Sequence, residues 1–424
     1  MRLCATYEGQ TMIKKLSAII FIYICIVVAW IILGSTVLVR TNTQHYKLKD
    51  AVGQLWGTVQ VQKAPSVYYE TKRNVESKRV EGGKTIREFQ TETLTNYLPL
   101  KSSRINVSLD LQHRKKGLLW YSTYTVKFAA HYTVSNDTPK PQDIFFNFTF
   151  PAKGAVYDDF RFIVGGKPVE NVAMSTDTVK QIMKLAPGKQ EDIEISYTSQ
   201  GLDTWWYEFG ENVSQVKNFL LTMKTNFKDI DFPENSISPT ARTQITDGWE
   251  LQWQYSNLLT GVKIGMDLPD KLNPGPWVSS VTFSAPISLF LFFFLLFIFT
   301  TLRKIKVHPM NYFFIGAAFF SFHLLLAYLV DHASIHAAFF ISSAVSILLV
   351  VSYMRLVVGS RFAFLEIAIS QFIYLVLFSY TFFFKGFTGL AITILCIATL
   401  FVVMQFTGKV DWEAVFQKKK GALK

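Results

Sequence analysis

The stretch His308-Pro-Met-Asn-Tyr-Phe-Phe-Ile-Gly-Ala-Ala-Phe-Phe-Ser-Phe-His-Leu-Leu-Leu-Ala-Tyr-Leu-Val-Asp-His332 decides how the rest of the chain is read. It enters on a proline, stays apolar for about twenty residues and leaves on an acid and a histidine. At about 1.5 Å rise per residue, that length crosses a bilayer core. It sits in a hydrophobic block over 281–407 that divides into five spans, roughly 281–302, 311–330, 336–353, 362–384 and 387–406. Working outward, residues 16–39 form another apolar run. It is too long for the core of a cleaved signal peptide, so it reads as a retained anchor. The expectation is a membrane protein with six transmembrane α-helices, one N-terminal and five C-terminal.

The formal net charge of +12 raises the question of nucleic acid, and its distribution argues against it. Residues 41–285 hold 28 Lys and Arg against 26 Asp and Glu, whereas the remainder holds 15 against 5. The excess therefore flanks hydrophobic spans, where basic residues mark the cytoplasmic side. No basic face with interleaved aromatics is visible, which excludes nucleic acid as a partner. Arg2, Lys14, Lys15, Arg303, Lys304, Lys306, Arg355, Arg361, Lys409, Lys418, Lys419, Lys420 and Lys424 fall on one side of the predicted spans. The opposite short flanks carry Arg40 and Lys385. Both termini are then cytoplasmic and the large intervening domain is outside.

That domain, residues 40–277, is expected to fold alone as one or two antiparallel β-sandwich-like layers. Runs over 121–134, 144–150, 193–197, 220–225 and 249–255 are rich in aromatic and β-branched residues. In the last, Trp249, Leu251, Trp253 and Tyr255 share one face, the period-two signature of a half-buried strand. Gly165-Gly166 supplies the positive φ angles of a tight hairpin turn. The polar stretch 45–50 is a candidate extension of the anchor helix. Asn273-Pro-Gly-Pro276 reads as the domain's end, with Trp277 as an interfacial anchor. The full division is a cytoplasmic head (1–15), an anchor (16–39), the β-rich domain outside the membrane (40–277), a five-helix bundle (278–407) and a basic cytoplasmic tail (408–424).

Motifs with chemistry are scarce. Gly82-Gly83-Lys84-Thr85 lacks the earlier glycine of a phosphate loop, since Lys78 stands there, and reads as a turn. Asp158-Asp159 reads as a solvated turn. Cys4, Cys25 and Cys396 lie outside the β-rich domain, so neither a disulfide in that domain nor a metal site is implied. No catalytic, cofactor-binding or metal-ligating set emerges. Ionisable residues within spans are functional flags because charge is costly there. His323 is expected to stay neutral with a hydroxyl or carbonyl partner, and Glu366 to pair with Arg361 or snorkel to the inner interface. Asp331, His332 and His336 are expected to lie close together at the outer face. An Asp331–His332 pair there would dock the β-rich domain or orient a ligand.

Four stretches resemble the CreD family of bacterial inner-membrane proteins. They are Leu55-Trp56-Gly57-Thr-Val-Gln60 with Pro65, Asp247-Gly-Trp-Glu-Leu-Gln-Trp253, His308-Pro-Met-x-Tyr312 with Gly316 and the Asp331-His332 exit, and Thr407-Gly-Lys-Val-Asp-Trp412. The chain departs from the family over 226–233, which usually holds a Trp-Pro-rich stretch, and at Gly408, which usually is Arg. The resemblance implies an inner-membrane protein with a large periplasmic β-sandwich-like domain, serving cell-envelope integrity and stress response. It brings no catalytic residues and no cofactor. The function expected is non-enzymatic: the β-rich domain binds an envelope partner while the bundle anchors it in the bilayer. The rivals are a membrane enzyme using Asp331, His332 and His336, and a transporter or sensor using His323 and Glu366. Oligomeric state is not legible.

Overall fold

The computed structural model describes residues 2–408 apart from 82–83, 171–172, 176, 211–215, 260, 304 and 385. Over 2–14, 76–81, 84–90 and 173–175 it describes backbone alone. The Gly82-Gly83 turn, Lys304, Lys385 and the tail from Lys409 through Trp412 to Lys424 lie outside the described residues. The chain forms two compact units, one of residues 1–46 with 272–424 and one of residues 47–271.

The first element is one long helix, α1 (Arg2–Trp56). It continues through 45–50, as the polar stretch after the anchor predicted. The other helices of the first unit are α2 (Pro274–Leu302), α3 (Pro309–Leu329), α4 (Ile335–Val358), α5 (Ser360–Phe383) and α6 (Thr388–Thr407). Among the described residues, six helices are long and apolar enough to cross a membrane. α2 begins at Pro274, earlier than hydropathy indicated. The Pro-Gly-Pro stretch is its first turn, where a missing N–H costs nothing. Trp277 is therefore a buried bundle residue, its Nε1 donating to the Phe382 carbonyl at 3.1 Å. α1 and α2 approach closely: Ser279 Oγ donates to the Gly34 carbonyl at 3.0 Å, and a Cβ on Gly275 would strike Thr41. α5 holds two π-helical stretches, Ala363–Ile367 and Phe372–Leu377, with no proline to cause them.

The second unit is built of strands. The first eight are β1 (Gln60–Lys63), β2 (Ser66–Glu81), β3 (Lys84–Leu98), β4 (Ser102–Lys116), β5 (Leu119–Ser135), β6 (Gln142–Thr149), β7 (Tyr157–Val164) and β8 (Lys167–Pro168). The rest are β9 (Ala173–Ser175), β10 (Thr178–Leu185), β11 (Gln190–Leu202), β12 (Thr204–Glu208), β13 (Val216–Thr225), β14 (Ala241–Gln244), β15 (Trp249–Leu258) and β16 (Ile264–Asp267). They pair in three sheets, ordered β1-β12-β16, β3-β2-β6-β10-β9 and β14-β15-β13-β4-β5-β11-β7-β8. Pairing is antiparallel except at β1–β12 and β4–β13, two parallel pairs that the hairpin signals gave no reason to expect. Gly165 and Gly166 both take positive φ, closing the β7–β8 hairpin. Asp158 and Asp159 sit beside a bulge opposite β11, and Asp159 takes a positive φ.

One apolar core draws on all three sheets, with Phe146 and Val179 from the second, Val126 and Trp253 from the third, and Trp205 and Met266 from the first. Tyr124, Tyr132, Tyr197 and Tyr207 are buried in it. Burial pushes all four phenols well above their ordinary value. Burial also pushes Tyr157 up to about 12, against the lowering effect of its hydrogen bond with Ala152. A raised folded-state value means the native chain holds these protons more tightly than the unfolded one. The stability they confer is whole below about pH 10, the unperturbed phenol value, and falls as pH rises further. The phenolate absorbance of these five tyrosines should therefore rise in one cooperative step above that pH, together with loss of the β-type circular dichroism signal. Gradual ionisation with the sheets intact would show that these phenols titrate in place.

Candidate functional site

His308 caps α3: its Nδ1 accepts from the Met310 N–H at 3.2 Å, and Pro309 opens the helix. One turn on, Tyr312 is buried edge-on against Phe293, the ring centres 5.2 Å apart. A Cβ on Gly316 would meet Ile26, so this glycine lets α1 pack closely on α3. His308, Tyr312 and Gly316 thus set the entry and packing of the helix.

His323 is buried, and the expected carbonyl is that of Phe319, one turn back, which interacts with the ring although neither ring nitrogen reaches full hydrogen-bond geometry. Aromatic rings surround it: Trp30 at 5.4 Å, Phe322 at 4.8 Å and Phe319 at 6.4 Å between centres. Aromatic packing, not a hydroxyl, holds the imidazole. Trp30 Nε1, Ser342 Oγ and Gln371 Oε1 are buried and unpartnered. Gln371 Nε2 donates to Ser346 Oγ at 3.0 Å, and Ser346 donates to the Ala318 carbonyl at 2.7 Å.

At the other end of α3 the expected Asp331–His332 pair gives way to a different one. Arg40 Nη1 lies 3.1 Å from Asp331 Oδ2, and its guanidinium sits 5.9 Å from the Tyr328 ring centre. Arg40 projects from α1 into reach of the α3 terminus, and a guanidinium outcompetes a neutral imidazole for a carboxylate. His332 is exposed, and His336 stacks on Phe383 at 4.7 Å. Asp331→Asn in the full chain should lower stability by about 1–3 kcal/mol, the buried-pair cost discounted for partial exposure. His332→Gln should stay within about 0.5 kcal/mol. Thermal melts in detergent distinguish the two. Equal losses would mean that His332 shares the work.

Glu366 is also paired differently from the reading: its Oε1 lies 2.5 Å from Arg303 Nη2, not on Arg361. The π-helical stretch carrying Glu366 shifts its direction relative to a regular helix.

In the second unit, Trp56 ends α1 and stacks under the Arg114 guanidinium, 5.4 Å from the ring centre. Gly57 takes φ +96°, and a Cβ there would strike the Gln200 carbonyl. Just beyond, Gln60 Nε2 donates to Gln200 O at 2.7 Å and to Ser199 Oγ at 3.0 Å. Gln62 accepts from Tyr197 Oη at 2.7 Å and donates to the Thr149 carbonyl at 3.1 Å. These two buried amides join β1 to β11 and to the end of β6.

Where the three sheets converge, the unit has a cleft of about 930 Å³. Phe150, Tyr207, Phe209 and Phe219 line it with Asn147, Thr149 and Thr178, and Lys153 and Asp177 add charge. Its volume and its mixture of aromatic and polar groups match those of small-ligand sites. Asn147, Thr149 and Phe150 fall in the strand run 144–150 but none of these residues stood out as a site, because alternating aromatics look the same in a cleft wall and in a core. Among the described residues, no three His, Cys, Asp or Glu side chains gather to hold a metal.

No curated protein matches this chain. Among solved structures, a Legionella pneumophila protein described as nutrient binding is similar at 13% identity. The match covers 45% of this chain and 71% of that one, with a TM-score of 0.32. An M1 zinc metallopeptidase mutant from Deinococcus radiodurans, bound to a Tyr-Ser-Ala substrate, is similar at 7% identity over 65% and 94%, with a TM-score of 0.28. At such scores neither likeness bears on fold or activity. The family model "Inner membrane protein CreD" matches residues 280–413. The matched segment contains the His308 to His332 stretch and the Thr407 to Trp412 stretch; the other two stretches that carried the resemblance lie outside it. Residues 280–413 thus match the same inner-membrane CreD family that the sequence resembles.

Proposed function

We propose that this inner-membrane protein contributes to envelope integrity by binding an envelope component in the cleft of its β-rich unit, without catalysis. In this reading the sheets form a sandwich-like domain on the periplasmic side, and both termini are cytoplasmic. The cleft is the observation that carries it: it is roomy and lined by aromatic and polar groups. The basic residues bordering the spans support the orientation.

The experiment is photo-crosslinking in native membranes from an unnatural residue at Thr178, which lines the cleft, with exposed Lys180 as control. An adduct from position 178 absent from position 180 is the expected result. No adduct, or equal adducts, would overturn the cleft as a binding site. Reporter fusions test the orientation. Those after Arg303 and Arg361 should report cytoplasm and those after Asp331 periplasm; a cytoplasmic signal at Asp331 would refute it.

A second reading, as a sensor or transporter, draws on the π-helical stretches of α5, which hold Glu366 and flank Gln371. Such stretches gather at functional positions in helices.

A further inference from the structure

Between α2, α5 and α6 runs a groove of about 420 Å³. Leu295, Phe299, Ile369, Ile373, Leu395 and Val402 make its walls apolar. One carboxylate, Glu366, lines it as well, with its side chain only 18% exposed. Its two oxygens differ. Oε1 is held by Arg303, whereas Oε2 is buried and has no hydrogen-bond partner. An ionised carboxylate is a strong acceptor at both oxygens, and leaving one unmet in apolar surroundings is costly. Arg303 satisfies one oxygen through Nη2, and its side chain is otherwise largely exposed. A guanidinium carries five N–H donors, so it has capacity for a further anion.

The polar end of the groove therefore combines an unmet acceptor with a cation that has donors to spare. Both lie near helix ends: Arg303 follows the last residue of α2, and Glu366 is in the second turn of α5. From Glu366 to Ile373 the groove follows α5 for about 10 Å at helical rise, alongside hydrocarbon. An occupant that fits has an acyl chain, an anionic group for Arg303 and an N–H donor for Oε2. We propose that this groove is a site for a phospholipid with a primary ammonium headgroup, of the phosphatidylethanolamine class. The phosphate sits on Arg303, and the ammonium meets Glu366 Oε2 once that buried oxygen turns toward the groove. A choline headgroup carries no N–H and leaves Oε2 unmet; a glycerol headgroup donates through hydroxyls but adds no cation opposite the carboxylate.

The test uses the full chain, delipidated in detergent and re-equilibrated with dioleoyl phosphatidylethanolamine, phosphatidylglycerol or phosphatidylcholine. Native mass spectrometry then counts retained lipid. Ethanolamine lipid should be retained about tenfold better than choline lipid, the factor that one charge-assisted hydrogen bond supplies. Glu366→Gln should bring the two within about twofold. Ala398→Trp, at a groove-lining position of α6, should abolish retention of all three lipids without touching the ion pair. Equal retention of ethanolamine and choline lipids by the wild type would overturn the proposal. So would a glycerol lipid retained as well as the ethanolamine lipid, or undiminished retention in Ala398→Trp. If Glu366→Gln fails to insert, the wild-type headgroup series and the Ala398→Trp variant still decide. The outcome is independent of the β-rich cleft.

Discussion

Gly57→Ala should destabilise the β-rich unit by about 3 kcal/mol or more, the sum of a positive-φ cost and a clash with backbone. The residue follows the last turn of α1, and its N–H donates to the Gly53 carbonyl at 3.0 Å. That is the helix-ending position where a left-handed residue is wanted, and glycine takes it without penalty. The obstacle to alanine is more than φ. A methyl would enter the Gln200 carbonyl, which already accepts from Gln60 Nε2 at 2.7 Å. Relief requires β1 to move off β11, which breaks the buried amide bonds. For a unit of this size the thermal midpoint should fall by about 6–12 °C. Gly154→Ala is the internal control. Gly154 also has a positive φ, but nothing lies within 4 Å of the added methyl. It should cost only about 1 kcal/mol. If the two variants melt alike, the approach to Gln200 carries no energetic weight.

Trp253→Ala should be at least as damaging, at about 3–5 kcal/mol for a large ring removed from a packed core. Trp253 is completely buried, its Nε1 donates to the Ile237 carbonyl at 2.8 Å, and Phe232 packs edge-on at 6.5 Å. The alanine variant leaves both a cavity and an unmet carbonyl. Trp253→Phe keeps most of the volume and loses only the hydrogen bond, so about 1–2 kcal/mol is expected. Denaturant midpoints of the full chain in detergent check the order. A phenylalanine variant as unstable as the alanine one would show that the hydrogen bond, not the ring's volume, holds β15 in place.

The helices were legible because crossing a bilayer demands about twenty apolar residues in a row, and such runs are hard to mistake. Strand runs such as those of β5, β6 and β15 were legible for a similar reason: period-two burial leaves its trace in residue type. Partnerships were not. Nothing in composition ties Arg40 to Asp331 across almost three hundred positions, or chooses Arg303 over the nearer Arg361 for Glu366. Sequence proximity favours Arg361, whereas helix packing and the π-helical stretch decide for Arg303. The resemblance rested on four stretches, and the two in the C-terminal segment are those the family match covers. The remaining two mark backbone needs, at Gly57 and at Gly248, whose added Cβ would strike the Thr225 carbonyl.

The β1–β12 pair carries a cost in time. Gln60 pairs with Trp205 and Lys63 with Glu208, so β1 has no strand partner until nearly 150 more residues have been made. At ordinary synthesis rates of about 5–20 residues per second, that wait is about 7–30 s. Long-range parallel closure is also slow in itself, because the loop entropy is lost before the contacts form. Throughout the delay, β1 and the aromatic strands that follow emerge as open edges able to pair with another chain. The late-made strands β12, β13 and β16 therefore act as the closing step of the unit's assembly, and a chain cut short before Trp205 leaves β1 permanently without its mate.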